Sequence, residues 1–188
     1  MRVIWVSLMT TCAALQAASL PEGSEASKAS KESSSVAKQI SRSDRDFATR
    51  AASDGIAEVE LGTLAAKKGE NQKVRRFGER MVKDHSSANV ELKKIAAAKG
   101  LTLGDTPGSE HTEHWARFNK LTGAEFDREY MAAMRDSQKK AVDLFRKQTV
   151  GGSDPELRKF AAKTLPMLEA HGKIAEAEPE KPDSQVGK

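Results

Sequence analysis

The chain has 188 residues, with 31 Lys and Arg against 27 Asp and Glu, and only 5% of its residues are aromatic. This length predicts one domain with one moderate core. The formal charge of +4 is too small to indicate a nucleic-acid-binding surface. With 31% charged residues, the composition predicts a helical protein in which only the N-terminal end is strongly apolar.

Residues 1–19 have the layout of a secretory signal peptide. A basic start at Arg2 precedes an apolar run at 3–15 and small residues at 17–19. The apolar run is shorter than the roughly 20 residues of a membrane-spanning helix. We therefore expect export to the periplasm or cell envelope, with the only cysteine, Cys12, removed.

Composition divides the rest of the chain into three parts. Residues 20–43 are rich in Ser, Lys and Glu and predict a disordered tether. Residues 178–188 carry Pro179 and Pro182 among charged residues and predict a disordered tail. The folded domain is expected to span residues 44–177.

Apolar residues recur with helical spacing through this domain, and Gly, Pro or capping residues divide the pattern into five helical pieces. Four long helices and one long connection predict an all-α four-helix bundle with a short extra crossover helix. We also expect Pro166 to kink the last helix near Lys163. The predicted helices are about 44–68 with Ser43 as N-cap, 72–99 after Asn71, 109–121, 122–149 opened by a Thr122/Glu125 capping box, and 154–177 opened by Asp154 and Pro155.

Three polar residues fall among the apolar positions of different helices. These residues are Glu58, toward the edge of its stripe, His85 and His171. Helical bundles build metal sites from carboxylates and imidazoles in this way, because burying such groups is costly without a cation or partner. Imidazole with carboxylate suits Fe, Mn, Zn or Cu. The alternative is that these side chains only hydrogen-bond within the core.

Other motifs point less clearly to chemistry. No Glu-x-x-His sequence is present, which argues against a standard di-iron site. His111 and His114 either form a surface metal clip or cover the end of the core beside Trp115. Asp84 and Asp136 are candidates for orienting an imidazole or are solvated. No phosphate-binding loop or Gly-x-Ser-x-Gly motif occurs.

Several motifs in order along residues 46–177 resemble a bacterial family of exported ferritin-like domains of unknown function, whose members often carry the label "outer membrane protein". The resemblance rests on 55–62 (GIAEVELG), 74–77 (VRRF), 81–85 (MVKDH), 123–127 (GAEFD), 161–166 (AAKTLP) and His171.

This resemblance implies a ferritin-like four-helix fold, an envelope location and no assigned activity. The family pattern has Asp-His on the fourth helix as well as on the second. Here the fourth helix has Asp136-Ser137 instead. If the family site is a ring of inward histidines, Ser137 occupies the position of a missing fourth ligand.

We therefore expect a non-enzymatic exported helical bundle with a role in envelope stress or in interaction with a partner. The alternative is a metal-binding or redox protein with a core site formed by Glu58, His85 and His171, and a transition-metal ion is then the candidate cofactor. We expect no nucleic-acid partner and only weak, salt-screened association with the envelope surface. The sequence does not identify a protein partner, and we expect a monomer or a small homo-oligomer.

Overall fold

The computed structural model describes residues 40–177 and confirms the predicted all-α class. No strand occurs in this part of the chain, and none of its helices is both long and apolar enough to cross a membrane. The predicted signal peptide, most of the predicted tether and the C-terminal tail lie outside the described residues. The helices are α1 (Arg42–Lys68), α2 (Gln72–Ala98), α3 (Thr112–Lys120) after a 3-10 turn (Ser109–His111), α4 (Gly123–Gly151) and α5 (Pro155–Glu176).

One helix start and one capping interaction differ from the predictions. Helix α1 begins inside the predicted tether, because Ser41 rather than Ser43 caps it and accepts a hydrogen bond from the Asp44 N–H at 3.1 Å. Both serines are suitable cap residues, so local sequence did not distinguish them. The predicted capping box is also wrong, since the Thr122 side chain makes no capping hydrogen bond.

Two other predicted caps are confirmed. The Asn71 side chain accepts a hydrogen bond from the Lys73 N–H at the start of α2. Asp154 accepts hydrogen bonds from the Glu156 and Leu157 N–H groups, both at 3.0 Å, at the start of α5. Pro166 lies inside α5, which continues as one helix through it. The proline therefore does not interrupt the helix, and the predicted kink near Lys163 stays a prediction.

The helices form two antiparallel hairpins, α1–α2 and α4–α5, joined by the long connection that contains α3. The Asp127 carboxylate, near the start of α4, accepts hydrogen bonds from the Glu70 N–H at 3.1 Å and the Asn71 N–H at 2.7 Å. Helix α4 therefore starts at the same end of the bundle as α2, so the two helices run parallel. The predicted crossover is confirmed.

A second carboxylate ties the hairpins together at the opposite end. Asp44 in α1 accepts hydrogen bonds from Gln148 Nε2 at 2.7 Å, from the Ser153 N–H and from the Asp154 N–H at 3.0 Å. Asp44 and Asp127 are both buried. The first helix of each hairpin thus supplies a carboxylate to the turn of the other hairpin.

Helices α1 and α2 approach each other closely at two glycines. A Cβ atom on Gly62 would lie 2.9 Å from the Gly78 carbonyl oxygen, and one on Gly78 would lie 2.6 Å from the Gly62 carbonyl oxygen. The two backbones are therefore in contact one turn beyond Glu58, and α1 carries Glu58 against α2.

The core consists of two apolar clusters with polar residues between them along every long helix. One cluster includes Phe47, Leu92, Phe145 and Leu168, and the other includes Leu61, Met81, Met134 and Ala175. The intervening buried residues are Glu58 on α1, His85 on α2, Gln138 on α4 and His171 on α5.

Candidate functional site

We call Glu58, His85, Gln138 and His171 the polar layer. The three residues that the sequence singled out are therefore brought to one level of the bundle, each from a different helix. The prediction that Glu58 lies toward the edge of its stripe is wrong, because its exposed fraction is only 3%. The close approach of α1 to α2 covers it.

Glu58 accepts three hydrogen bonds from three side chains. His85 Nδ1 donates to Oε2 at 2.9 Å, while Ser137 Oγ and Gln138 Nε2 donate to Oε1 at 2.8 and 2.7 Å. Burial raises the pKa of Glu58, but the charge of His85 and these hydrogen bonds outweigh it and lower the pKa. Burial lowers the pKa of His85, and the Glu58 carboxylate reverses this and raises it. Below the raised pKa of His85, the imidazolium and the Glu58 carboxylate therefore form a buried ion pair.

His171 has a different charge state. Its Nε2 lies 2.9 Å from Asp84 Oδ2, and Asp84 also pairs with Arg80. Burial, together with the positive charge of His85, lowers the pKa of His171 despite the opposing effect of Asp84. At neutral pH His171 is therefore the neutral imidazole. Because the Asp84 carboxylate can only accept a hydrogen bond, the proton of His171 is assigned to Nε2.

The two aspartates proposed as imidazole partners behave differently. Asp84 is confirmed as a partner of an imidazole through its hydrogen bond with His171. Asp136 is exposed and pairs with the neighbouring Arg135 at 3.5 Å. Only Asp84 therefore belongs to the surroundings of the polar layer.

Four buried polar atoms of the described residues have no hydrogen-bond partner: His85 Nε2, His171 Nδ1, Tyr130 OH and Gln138 Oε1. The imidazole ring centres of His85 and His171 are 5.3 Å apart, yet these two nitrogens are not hydrogen-bonded to each other. An unsatisfied buried polar atom costs about 1–3 kcal/mol. Such a concentration in one part of a core calls for an explanation beyond packing.

Among the described side chains, which exclude those of residues 110 and 112–114, no group of three or more His, Cys, Asp and Glu is placed to hold a metal ion. Glu58, His85 and His171 are brought together, but the Glu58 oxygens are occupied by hydrogen bonds. The Ser137 hydroxyl, predicted at the missing fourth position, donates to Glu58. Among the described residues, the imidazole nitrogens without a hydrogen-bond partner are His85 Nε2 and His171 Nδ1. In the charged form of His85, Nε2 carries a proton that a metal ion would have to displace.

Gln138 was not predicted from the sequence, and Tyr130 was predicted only as a member of the apolar stripe of α4. The sequence pattern placed Ser137 at the centre of the α4 stripe, whereas Gln138 is fully buried there and Ser137 is only half-buried. The signal was present, since Tyr130, Met134 and Gln138 follow one another at intervals of four residues on one helix face.

Of the two histidines on the short crossover segment, His111 and His114, the structure describes only the side chain of His111. His111 Nε2 lies 3.0 Å from Asp54 Oδ1 of α1, so this imidazole joins the short crossover segment to the bundle. The His114 side chain lies outside the described side chains. Trp115, which the sequence places on the same side of α3, is 45% exposed.

The opposite charge states predict opposite pH dependences for His85→Gln and His171→Gln in metal-free protein. The raised pKa of His85 gives a stabilising contribution that is complete below about pH 6.5 and is lost as pH rises through the folded-state pKa. The lowered pKa of His171 gives a stabilising contribution that is present above about pH 6.5 and is lost as pH falls through the folded-state pKa.

The destabilisation by His85→Gln should therefore shrink as pH rises, and that by His171→Gln should shrink as pH falls. Each slope is limited to about 1.4 kcal/mol per pH unit. Urea unfolding of both variants and the wild type between pH 5 and 9, with a chelator present, measures the slopes. Parallel slopes would contradict the assignment of one charged and one neutral imidazole.

Together, the fold and the polar layer define a four-helix bundle protein with a pair of buried, carboxylate-linked histidines. Residues 29–177 match the family described as Domain of unknown function (DUF4142). Because this match spans most of the chain, the protein belongs to that family. The predicted resemblance to a domain of unknown function is thereby confirmed.

Two solved structures share the fold. A DUF305 fragment from Deinococcus radiodurans aligns with a TM-score of 0.65 and 12% identity, covering 73% of this chain and 95% of that chain. The "putative secreted protein DUF305" from Streptomyces coelicolor aligns with a TM-score of 0.61 and 12% identity, covering 71% and 89%. At this identity the similarity concerns the fold alone. None of the curated proteins matches the sequence.

Proposed function

We propose that this protein is an exported binding protein that holds one transition-metal ion in its polar layer, through His85 Nε2 and His171 Nδ1. The observation that carries the proposal is that both nitrogens are buried and unpaired, while the other nitrogen of each ring is bound to a carboxylate. Histidines that bind metals characteristically donate their second N–H to a carboxylate, which fixes the tautomer and the ring orientation.

The separation of the rings fits this role. Two imidazoles that bind one ion at about 2.0–2.1 Å have ring centres roughly 5–6 Å apart, and the observed separation is 5.3 Å. The unpaired Gln138 Oε1 and Tyr130 OH are neutral oxygen donors on α4. A donor set of two imidazoles without a free carboxylate favours Zn, Cu or Ni over Mg or Ca. In this arrangement Glu58 orients His85 rather than binding the ion.

The alternative, a polar layer that only packs and hydrogen-bonds, is disfavoured by the four unpaired atoms. The signal-peptide layout of residues 1–19 supports export. The similarly folded Streptomyces coelicolor protein is named as secreted, which is consistent with export. A periplasmic or envelope location is part of the proposal.

The test is metal binding by the purified protein. The protein is expressed from residues 1–188, so that the N-terminal segment is present, and bound metal is removed with a chelator. ZnCl2, CuSO4 and NiSO4 are titrated separately by calorimetry, and bound metal is counted by mass spectrometry. We expect one ion per chain for at least one metal, and at least tenfold weaker binding for His85→Gln and His171→Gln. The affinity should also fall at low pH, because protons compete for the imidazole nitrogens.

His111→Gln is the matched control. Its imidazole is also bonded to a carboxylate, Asp54, but it lies outside the polar layer, so the variant should retain wild-type affinity. Far-ultraviolet circular dichroism checks that each variant is folded. Equal metal binding by the wild type and both polar-layer variants, or no stoichiometric binding by the wild type, would overturn the proposal.

A further inference from the structure

A groove lies at the end of the bundle where α5 ends. Of the four long helices, α5 is the shortest. Helix α5 has 22 residues, whereas α1 and α2 have 27 each and α4 has 29. The groove has a volume of about 340 Å³ and is bounded by the start of α2, by Met131 of α4 and by Ile174 and Ala177 at the end of α5. This volume lies within the range of about 300–1,000 Å³ typical of small-molecule sites.

The floor and the rim of the groove differ in chemistry. The floor includes Val74, Phe77 and Met131, all buried members of one apolar cluster. The rim residues Arg76 and Arg80 are exposed and four positions apart on α2, so they lie on the same face of that helix. No acidic side chain of the described residues lines the groove.

The two rim arginines differ in their partners. Arg80 is already paired with Asp84, at 3.4 Å. Arg76 makes no ion pair or hydrogen bond with the described residues and is therefore a cation available to a ligand. An apolar floor beside an available guanidinium matches a molecule with an apolar chain and one anionic group.

We propose that this groove binds a medium-chain fatty acid, with its hydrocarbon chain along Val74, Phe77 and Met131 and its carboxylate at Arg76. Burying the chain on the floor provides the hydrophobic contribution. A guanidinium–carboxylate pair provides a directional, charge-assisted contact at one end. A simple anion would gain nothing from the floor, and a cationic amphiphile would be repelled by the rim. The proposal is independent of metal binding in the polar layer.

The test is a calorimetric titration with dodecanoate of metal-free protein, expressed from residues 1–188. Dodecanoate is kept below the concentration at which it aggregates. We expect saturable binding by the wild type and at least tenfold weaker binding by Arg76→Glu. A second variant, Ile174→Glu, places a negative charge beside the floor and should weaken binding at least as much. Arg158→Glu makes the same change of charge on an exposed residue of α5 outside the groove and should bind as the wild type does.

Two further ligands and one further variant identify other occupants. Inorganic phosphate bound as tightly as dodecanoate would indicate a simple anion site, and equal binding of dodecyltrimethylammonium would indicate unspecific apolar binding. Residues 178–188 follow Ala177, so binding of dodecanoate that appears only in Glu178→Lys/Glu180→Lys would identify the chain's own C-terminal segment as the occupant. Each of these results overturns the proposal, as would unchanged affinity in Arg76→Glu or no binding by the wild type.

Discussion

Replacing Glu58 with Ala is expected to lower the free energy of unfolding by about 3–5 kcal/mol at pH 7, the range seen when one partner of a buried ion pair is removed. The Glu58 carboxylate is buried and accepts hydrogen bonds from His85, Ser137 and Gln138. Without it, the Gln138 amide loses its acceptor and the His85 imidazolium loses its counter-charge. Urea unfolding of metal-free protein measures the change.

Two variants make this result interpretable. Glu58→Gln retains an oxygen that accepts from Ser137 and Gln138, so it should lose clearly less stability than Glu58→Ala. Asp46→Ala removes a carboxylate from the same helix, where it makes only an exposed pair with Arg42 at 3.9 Å, and should have a much smaller effect. A loss of less than about 1 kcal/mol for Glu58→Ala would contradict a buried ion pair, given the usual size of that effect.

The sequence was sufficient to predict the helices because their signals are local. Hydrophobic spacing and the caps at Asn71 and Asp154 depend on residues a few positions apart, and both caps are present. The cap of α1 was misplaced because Ser41 and Ser43 carry the same signal. The structure selects Ser41, whose hydroxyl also donates to the Asp44 carboxylate at 2.7 Å.

The candidate site was predicted in part. His85 and His171 stand out because each interrupts an apolar stripe. The burial of Glu58 depends on how closely α1 approaches α2 at Gly62 and Gly78, which is a property of the packed bundle.

The same limit applies to α4 and to the groove. Adjacent residues on a helix point about 100° apart, so an error of about half that angle in the rotation of α4 exchanges Ser137 for Gln138 in the core. The groove depends on where α5 ends relative to α2, and local sequence does not specify that relation. Sequence periodicity thus predicts which polar residues lie near the core-facing side of a helix. Helix packing determines which of their atoms remain without a hydrogen-bond partner.

Asp44→Ala is expected to lower the free energy of unfolding by about 3 kcal/mol, because it leaves one buried and two part-buried donors without their acceptor, and a fully buried donor costs about 1–3 kcal/mol. Those donors are Gln148 Nε2 and the N–H groups of Ser153 and Asp154. The free energy of unfolding of Asp44→Asn should lie between those of Asp44→Ala and the wild type. The Asn side chain keeps one acceptor oxygen, but its NH2 group would face N–H donors. Thermal and urea unfolding measure both variants.

The effect of Asp44→Ala should also depend on pH. Burial raises the pKa of Asp44, but hydrogen bonds from Gln148, Ser41 and the backbone lower it overall, below its ordinary value of 3.8. The Asp44 contribution is therefore complete at neutral pH and is lost as pH falls through the folded-state pKa. The difference between the wild type and Asp44→Ala should narrow below about pH 4, and a difference that widens there would contradict this account.

Asp127 offers an independent test of the same principle at the other end of the bundle. It accepts hydrogen bonds from the backbone of the α1–α2 turn, as Asp44 does from the α4–α5 turn. Because the two carboxylates share no partner, the losses in an Asp44→Ala/Asp127→Ala double variant should add within about 0.5 kcal/mol. If each carboxylate instead held the same contact between the hairpins, the second substitution would cost much less than the first. Additivity would therefore mean that the hairpins are fastened separately at each end, with the polar layer lying between the two.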